Sequence, residues 1–384
     1  MSSKPFVAQW GILGCGWISS EFVKDVSRPM STRNVSDVSH AIAAAGSRSL
    51  SKAQAFLNEY CPNGAAAQQD GLVEFKPKPY GSYKEVVEDP NVNIVYVGTM
   101  NICHYDDAKL ALEAGKHCLL EKPAALNAAE WRSLVALASE KKVFLMEAVW
   151  TRFNPVLLAV QKAIHVDNAI GDVHCVYSDH SMALVGKEPD THRCLSAELA
   201  GGPLLDVGPY PMVWSLMILF RHPKNNMTPP EKVGSTMMKY RTGVDLATSF
   251  TMTFPKLNAI AYCTTNLLSD TPKTSHTRIV GSKGEITVQG YTSRPQKYII
   301  HTYPEQGEGE GKSEPKDILV DMSFDGFGLY WEADAVARCL KDGLLECPEM
   351  TQKETEMTMS IFDEIRKEGG YEFLPGLERI KLDD

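Results

Sequence analysis

A cluster of glycines near the start of the chain has the spacing of a phosphate-binding turn. Gly11-Ile-Leu-Gly14-Cys-Gly16 follows a strand-like run and leads into a helical pattern that begins with Trp17 and Ile18. In such a turn Gly14 permits the tight bend, and Gly16 allows backbone N–H groups to approach a pyrophosphate. The helix N-terminus adds a partial positive charge for that anion. We therefore predict a dinucleotide site here.

The end of the second predicted strand indicates which dinucleotide is bound. An NAD site normally places Asp or Glu here for the ribose 2′-hydroxyl, whereas an NADP site uses Arg and small hydroxyls for the 2′-phosphate. This chain has Arg48 between Ser47 and Ser49, with no carboxylate. The pattern predicts NADP, and a solvated surface arginine is the alternative.

Two further groups of polar residues follow predicted strands. Thr99, Asn101 and His104 come after a nearly all-apolar strand, and Glu121 and Lys122 end the next one, before a proline. The carboxyl ends of parallel strands open toward a ligand crevice, so both groups are expected beside the dinucleotide. A lysine at such a strand end is poorly explained by structure, which makes Lys122 a candidate for catalysis. Spacing alone leaves a structural role open.

These side chains need a parallel sheet to position them. Over the first 150 residues, short β-rich runs alternate with helical segments, at 7–13, 18–26, 38–45, 93–98, 104–114, 117–120, 127–140 and 143–148. This alternation predicts βαβ units, hence a doubly wound α/β Rossmann domain over residues 1–150. Asn127 and Glu130 have the spacing of a capping box, and Gly115 stands where a left-handed helix end is expected.

The chain after residue 150 no longer alternates strand-like and helical segments in a regular way. A helix at about 156–165 and a strand at 172–181 precede a long apolar helix at about 207–220. Strand-like segments then follow one another, at 232–241, 245–254, 258–265, 275–280, 285–289 and 297–303. Strands in succession without helices predict a large, mainly antiparallel open sheet. We expect an α+β domain for substrate and dimerisation over residues 151–384.

The last part of the chain combines a polar stretch with two amphipathic patterns. The glycine-rich segment 305–316 is predicted to be a mobile loop tip. Helices are predicted at about 328–342 and 351–367, and we expect them to pack back on the first domain.

Composition excludes several classes of protein. The chain has 384 residues, 43% hydrophobic and 23% charged, which indicates two or three globular domains. The net charge of −9 argues against nucleic acid or an anionic membrane surface as a partner. The nine cysteines form neither a Cys-x-x-Cys pair nor a zinc-type cluster, so we expect reduced thiols, no metal and a cytoplasmic location. We expect no secretory signal and no apolar window of membrane-spanning length.

Four motifs in order along the chain resemble one enzyme family. The glycine turn, AGKHCLLEKP at 114–123, EAVWTRF at 147–153 and GGPLLDVGPY at 201–210 are similar to motifs of the glucose-fructose oxidoreductase/inositol dehydrogenase family. The resemblance covers nearly the whole chain, and it is closest for the branch of NADP-dependent sugar and dihydrodiol dehydrogenases. Two positions depart from the family pattern, with Met100 in place of proline and Ser19 in place of a third glycine.

The resemblance implies roles for individual residues. It makes Lys122 the catalytic lysine, and Asp206 and Tyr210 the Asp-x-x-x-Tyr pair of the active site. It places Trp150 and Arg152 near the nicotinamide and the substrate, and the Thr99–His104 loop under the nicotinamide ribose. The expected cofactor-binding residues are Gly14, Gly16, Trp17, Ile18, Ser47, Arg48, Thr99, Asn101, His104, Glu121, Lys122, Trp150 and Arg152. The expected substrate-binding residues are Trp150, His180, Asp206 and Tyr210.

The residues themselves suggest how the chemistry is divided. Oxidation of a carbinol needs a base for the hydroxyl proton, while a nicotinamide accepts the hydride. A tyrosine phenol has an ordinary pKa of about 10, which a neighbouring ammonium lowers by favouring the phenolate. We hypothesise that Tyr210 is the general base, Lys122 its electrostatic partner, and Asp206 an orienting or substrate-binding carboxylate. Asp206 precedes Tyr210 by four positions, which is one helical turn, so we expect both side chains to project from the same face.

Simpler interpretations stay open for several of these residues. Tyr210 can be an ordinary interfacial aromatic, Asp206 an N-cap of the following helix, and Trp150 a core residue. For His174, His180 and His192, two interpretations stay open: each can line the substrate pocket, or each can be a hydrogen-bonded structural histidine.

Three functions compete. The leading expectation is oxidation of the C1 hydroxyl of a cyclic aldose, D-xylose first, to a lactone with NADP⁺. Oxidation of a trans-1,2-dihydrodiol is the alternative within the same enzyme class. A non-catalytic dinucleotide-binding transcription regulator is the alternative of another class, and the presence of both Lys122 and Tyr210 argues against it. Alternating apolar and Thr or Tyr side chains at 247–254 and 259–265 further predict a homodimer formed through the sheet.

Overall fold

The computed structural model describes residues 4–304 and 314–381. The chain divides into two compact units. Unit 1 comprises Met1–Trp150, Asp325–Met359 and Glu378–Asp384, and unit 2 comprises Thr151–Phe324 and Ser360–Leu377. The predicted second domain covers residues 151–384, whereas the structure assigns Asp325–Met359 and Glu378–Asp384 to unit 1.

Unit 1 is built on a parallel sheet of six strands. In chain order they are β1 (Phe6–Leu13), β2 (Val38–Gly46), β3 (Lys78–Tyr80), β4 (Ile94–Val97), β5 (His117–Glu121) and β6 (Leu145–Ala148). The spatial order is β3-β2-β1-β4-β5-β6, so the chain switches direction across the sheet between β1 and β4. Every residue of β2 and β4 is buried, as in a sheet covered on both faces. The predicted doubly wound fold is confirmed.

Helices connect these strands. They are α1 (Trp17–Val26), α2 (Leu50–Tyr60), α3 (Ala66–Gln69), α4 (Tyr83–Glu88), α5 (His104–Glu113) and α6 (Ala128–Lys141). Asn127 caps α6, because its side chain accepts the N–H of Glu130 at 2.8 Å. The Glu130 carboxylate accepts the N–H groups of Leu126, one residue before the cap, and of the distant Arg379, and these bonds replace the predicted reciprocal capping box. Gly115 has the predicted left-handed conformation, with φ of +72°.

Unit 2 contains a second sheet, of eight strands. In chain order they are β7 (Val173–Asp179), β8 (Lys232–Lys239), β9 (Asp245–Phe254), β10 (Ala259–Asn266), β11 (Thr277–Gly281), β12 (Gly284–Gly290), β13 (Pro295–Thr302) and β14 (Asp317–Asp321). The spatial order is β14-β13-β12-β11-β7-β10-β9-β8. The β7–β10 pair is parallel and the other pairs are antiparallel, which confirms the mainly antiparallel sheet.

The helices of unit 2 before residue 220 correct one prediction. They are α7 (Pro155–His165), α8 (Pro203–Asp206) and α9 (Pro209–Ser215), which continues as a π-helical turn over Leu216–Phe220. The single helix predicted at 207–220 is therefore preceded by a separate short one. Pro209 lacks an N–H and its ring clashes with the carbonyl four residues earlier, so α8 cannot run on into α9. Asp206 and Tyr210 lie on different helices, and the inference that they share one helical face is wrong.

The same region also corrects the expectation about apolar windows. The helical segment Ala197–Phe220 is long and apolar enough to cross a membrane by length and composition alone, with a mean hydropathy of 1.3. All of its most apolar window is buried within the structure. The core helix of a globular protein has the same properties, and burial favours that interpretation.

The chain ends with α10 (Leu329–Lys341) and α11 (Gln352–Glu368). Helix α10 belongs to unit 1, and α11 is divided between the two units. Most of the predicted loop at 305–316 lies outside the described residues. Lys316 accepts the backbone N–H of Thr302 at 2.9 Å as the chain enters β14, a strand that the sequence pattern does not predict.

Candidate active-site residues in the two units

The glycine turn after β1 leaves space for an anion. Gly14 has a φ of +91°, and a Cβ there would lie 2.8 Å from the carbonyl oxygen of Gly98. Gly16 is the N-cap of α1, has no side-chain capping bond, and a Cβ built on it meets no atom within 4 Å in the part of the chain that is described. An uncapped helix N-terminus facing open space suits a pyrophosphate. The turn therefore fits the phosphates of a dinucleotide.

Ser19 still permits close packing although it replaces the third glycine. It is fully buried, and a Cβ on Gly98 would lie 2.3 Å from its Oγ. The other predicted residues at the start of α1 differ in exposure: Ile18 is half-buried and Trp17 is 66% exposed. The Trp17 ring contacts Phe327 edge-on at 5.3 Å between ring centroids.

Ser47, Arg48 and Ser49, at the end of β2, differ in their exposure and in their contacts. Ser47 is buried, whereas Arg48 is exposed. The Ser49 hydroxyl caps α2 by accepting the N–H of Lys52 at 3.4 Å and also contacts Ser51. Arg48 is consequently the exposed cation at this strand end, the position where a 2′-phosphate is expected.

His104 links the two polar segments that follow β4 and β5. Its Nδ1 lies 2.7 Å from the carbonyl oxygen of Pro123 and its Nε2 lies 3.2 Å from that of Thr99. The ring is buried. His104 thus holds the loop with Thr99 and the half-buried Asn101 against the chain that carries Lys122. The Lys122–Pro123 peptide bond is cis.

Glu121 is anchored inside unit 1. The Tyr96 hydroxyl donates to its Oε1 at 2.5 Å, and the backbone N–H of Lys122 donates to its Oε2 at 3.2 Å. The fully buried Glu332 of α10 lies close enough that burial, with a further contribution from Glu121, raises the pKa of the Glu332 carboxyl well above its ordinary value. These contacts fix the backbone at the half-buried Lys122.

A buried carboxyl that sequence reasoning missed lies below the Thr99 loop. Burial raises the pKa of Asp107 to about 6, the nearby Thr99 hydroxyl lowers it, and Asp106 raises it further. Asp107 occupies the first turn of α5, where an acidic side chain is ordinary, so no signal in the sequence marked it.

Asp206, in unit 2, forms a bidentate ion pair with Arg193. The Arg193 guanidinium donates to Oδ1 at 2.6 Å and to Oδ2 at 3.1 Å, and the Cys194 thiol donates to Oδ2 at 3.3 Å. The N-cap of α9 is Gly208, so Asp206 does not cap that helix. Sequence reasoning missed Arg193, because it lies in the irregular segment before α8 and no motif includes it.

Tyr210 contacts another of the predicted residues, His180. Their rings lie 4.8 Å apart between centroids, with 30° between the ring planes. His192 accepts the backbone N–H of Cys194 at 3.3 Å, which gives it a structural role in the loop. His174 is exposed on β7. Unit 2 therefore brings His180 against Tyr210.

The Trp-x-Arg element spans the division between the units. Trp150, the last residue of that stretch of unit 1, is buried and contacts Phe327 at 5.6 Å between ring centroids. Arg152 belongs to unit 2 and is 1% exposed. Among the described residues there is no group of three or more His, Cys, Asp or Glu side chains that could hold a metal ion.

Comparisons with known proteins agree with these features. Residues 8–149 match the model of the oxidoreductase family with an NAD-binding Rossmann fold (Gfo/Idh/MocA), and residues 158–287 match the Gfo/Idh/MocA C-terminal domain. The chain is 38% identical to the D-xylose 1-dehydrogenase (NADP⁺) of Hypocrea jecorina, over 96% of this chain and 94% of that protein. It is 32% identical to the trans-1,2-dihydrobenzene-1,2-diol dehydrogenase of Danio rerio, over 94% and 97% respectively.

A solved structure supports the fold. The aldose-aldose oxidoreductase of Caulobacter crescentus, crystallised with glycerol, has a TM-score of 0.73 and 21% identity, covering 94% of this chain and 97% of that one. The family match, the two sheets and the glycine turn lead to one conclusion: the chain belongs to the Gfo/Idh/MocA family of oxidoreductases.

Proposed function

We propose that this protein is an NADP-dependent dehydrogenase that oxidises the C1 hydroxyl of a cyclic aldose, D-xylose first, to the lactone. The observation that carries the proposal is its 38% identity, over 96% of the chain, to a D-xylose 1-dehydrogenase (NADP⁺). The four sequence motifs that resemble this family are distributed over both units.

The cofactor proposal depends on the turn after β1 and the end of β2. Gly14 and Gly16 would hold the pyrophosphate at the N-terminus of α1, and the exposed Arg48 would pair with the 2′-phosphate. Bound NADP⁺ supplies the hydride acceptor. Trp17, Ile18, Ser47, Thr99, Asn101 and His104 are proposed to complete the cofactor site.

Tyr210 and Lys122 are proposed as the catalytic residues. The phenolate of Tyr210 takes the proton from the C1 hydroxyl, and the ammonium of Lys122 binds the hydroxyl oxygen and favours the phenolate. Glu121 supports this arrangement by accepting the Lys122 backbone N–H, which holds the residue at the end of β5. Trp150 and Arg152 are proposed to contact the nicotinamide or the substrate.

The side chains around Tyr210 favour a sugar over an aromatic diol. His180 lies against the phenol ring, and Asp206 with Arg193 forms a charged pair nearby. Polar groups of this kind hydrogen-bond a polyol, whereas an aromatic diol is favoured by an apolar lining. The similarity to trans-dihydrodiol dehydrogenases keeps diol oxidation as the second candidate.

We further propose a cytoplasmic homodimer. None of the nine cysteines, all within the described residues, forms a disulfide, which suits a reducing compartment. The sheet of unit 2 exposes apolar side chains, among them Tyr177, which stacks on Tyr262 at 4.9 Å, and Leu319, which is 59% exposed. Sedimentation that detects only monomer at working concentration contradicts the dimer.

The test is an assay of the purified protein with NADP⁺ or NAD⁺ against a panel of aldoses and trans-dihydrodiols, following reduced nicotinamide. We expect NADP⁺ reduction that depends on an aldose and is fastest with D-xylose. Activity confined to dihydrodiols selects the second candidate. Cofactor binding without reduction by any alcohol contradicts the enzymatic proposal and selects the regulator.

A further inference from the structure

Three consecutive residues in the irregular segment before α8 are arranged around Asp206. Both terminal nitrogens of Arg193 donate hydrogen bonds to the Asp206 carboxylate, and the Cys194 thiol donates a hydrogen bond to the same carboxylate. His192 in turn accepts the backbone N–H of Cys194. Because the Asp206 side chain is only 5% exposed, loss of its partner would leave a buried, uncompensated charge. This cost sets the pair apart from a surface ion pair.

The same unit contains a surface pair for comparison. Arg241 binds Asp190 through two hydrogen bonds of 2.8 Å, with side chains that are 72% and 38% exposed. Exposed ion pairs typically contribute little to stability, because water solvates both ions and salt screens their attraction. Arg193 makes the same kind of bidentate contact, but to the buried carboxylate of Asp206.

Arg193 also lies within electrostatic range of Tyr210. Its guanidinium is held in the charged form chiefly by Asp206, with smaller contributions that include Tyr210, so the cation lies within electrostatic range of the phenol. His180 lies against the Tyr210 ring and acts electrostatically on His276, while Asp206 and Cys194 act on Arg193. Burial lowers the pKa of His276 to about 3, so that ring carries no charge at neutral pH. The Asp206 carboxylate opposes a phenolate, and Arg193 cancels that opposition.

We propose that Arg193 is a positioning residue of the reaction centre, which fixes Asp206 and supplies the positive charge within unit 2 that favours the phenolate of Tyr210. The inference rests on the proposed role of Tyr210 as general base. About half of the Arg193 side chain is exposed despite its ion pair.

The test has a kinetic and a spectroscopic part. The kinetic part is the pH profile of kcat/KM for D-xylose with NADP⁺. The spectroscopic part is the alkaline ultraviolet titration of the phenolate, taken as the difference between each protein and the same protein carrying Tyr210→Phe, which isolates Tyr210 from the other tyrosines. Arg193→Gln is expected to move the acid limb and the Tyr210 titration to higher pH by about one unit. Arg193→Lys keeps the positive charge but loses the bidentate hydrogen bonds to Asp206, so its shift is expected to be smaller than that of Arg193→Gln.

A matched control and an opposite-sign variant sharpen the test. Arg241→Gln removes the surface pair and is expected to leave both titrations in place. Asp206→Asn removes the negative charge while Arg193 stays, so it is expected to move the Tyr210 titration to lower pH. If Arg193→Gln does not fold, Arg193→Lys and Asp206→Asn decide the question.

The outcomes separate this inference from the proposed function. If the wild-type protein oxidises no aldose, the proposed function fails, and the ultraviolet titration still decides the role of Arg193. If Arg193→Gln only lowers stability and leaves both the acid limb and the Tyr210 titration unchanged, Arg193 is merely structural and the inference is overturned.

Discussion

The carboxylate of Asp25, in the last turn of α1, accepts the backbone N–H of Gly328 at 2.7 Å. It also accepts the N–H groups of Phe327 and Leu329, at 3.0 and 2.9 Å. Gly328 is the N-cap of α10 and has no side chain to satisfy these donors. A residue of the first helix therefore caps a helix near the end of the chain, and in doing so holds Phe327, which contacts both Trp17 and Trp150.

Replacing Asp25 should destabilise unit 1. Asp25 is 2% exposed, so Asp25→Ala leaves buried N–H groups unsatisfied and is expected to lower the free energy of unfolding by about 2 kcal/mol. Urea denaturation measures the loss. Glu21→Gln on the same helix removes the negative charge of a pair with the exposed Lys24 and serves as the control. Equal effects of the two substitutions would show that the cap contributes nothing.

The elements that the sequence predicted well are those with a strong local signal. The strand predicted at 93–98 is a nearly all-apolar run and appears as β4, and Gly115 follows α5 in the predicted left-handed conformation. The capping box of α6 formed only in part, because Glu130 accepts N–H groups from Leu126 and the distant Arg379. The local pattern carries no information about a donor as distant in sequence as Arg379.

The two glycines of the turn after β1 should respond differently to alanine. A Cβ at Gly16 meets open space, so Gly16→Ala is expected to cost less than about 1 kcal/mol of stability while obstructing the approach of a pyrophosphate. Gly14→Ala places a Cβ against Gly98 at positive φ and is expected to destabilise the fold by about 1–3 kcal/mol. Fluorescence titration with NADPH and chemical unfolding separate the two effects. NADPH affinity of Gly16→Ala equal to that of the wild type argues against this site.

Arg48 should determine the preference between dinucleotides. A charge-assisted contact to a phosphate contributes about 1.5–3 kcal/mol, so Arg48→Ala is expected to lower kcat/KM for NADP⁺ by about 10- to 100-fold and to change that for NAD⁺ little. Kinetics with both cofactors measure the ratio. The exposed Arg132, which pairs with Glu356, provides the control variant Arg132→Ala. If Arg48→Ala left the ratio of kcat/KM for NADP⁺ to that for NAD⁺ unchanged, Arg48 would be a solvated surface residue and not a ligand of the 2′-phosphate.

The buried Asp245 should make stability depend on pH. Burial raises the pKa of its carboxyl from 3.8 to about 7, although the Leu204 N–H and the Thr248 hydroxyl donate to it. Between these two values the folded state holds a proton that the unfolded state has released. The free energy of unfolding therefore falls as pH rises through this window, by at most about 1.4 kcal/mol per pH unit from this group.

Asp245→Asn cannot ionise and should flatten that part of the stability profile. Chemical unfolding from pH 4 to pH 7 compares the slope with that of the wild type, in a window set by the two pKa values. Exposed Glu231 supplies the control Glu231→Gln, which should keep the wild-type slope. A variant slope that matches the wild type would mean that Asp245 is already ionised in the folded protein.

The candidate site was harder to predict than the fold. Arg193 went unnoticed because its partner Asp206 becomes its neighbour only through the path of an irregular segment. The spacing of Asp206 and Tyr210 suggested one helical face, yet Pro209 between them starts a new helix. Motif resemblance named the residues, and only the tertiary structure showed which of them touch.

The central claim is that the phenol of Tyr210 removes the hydroxyl proton of the substrate. The most direct measurement is the turnover rate of Tyr210→Phe with D-xylose and NADP⁺, made beside an NADPH titration of the same variant. The account predicts a rate lower by about 10²–10⁴-fold with unchanged NADPH affinity, because phenylalanine keeps the ring against His180 and loses only the hydroxyl. A rate close to that of the wild type would contradict it and place the base on another residue.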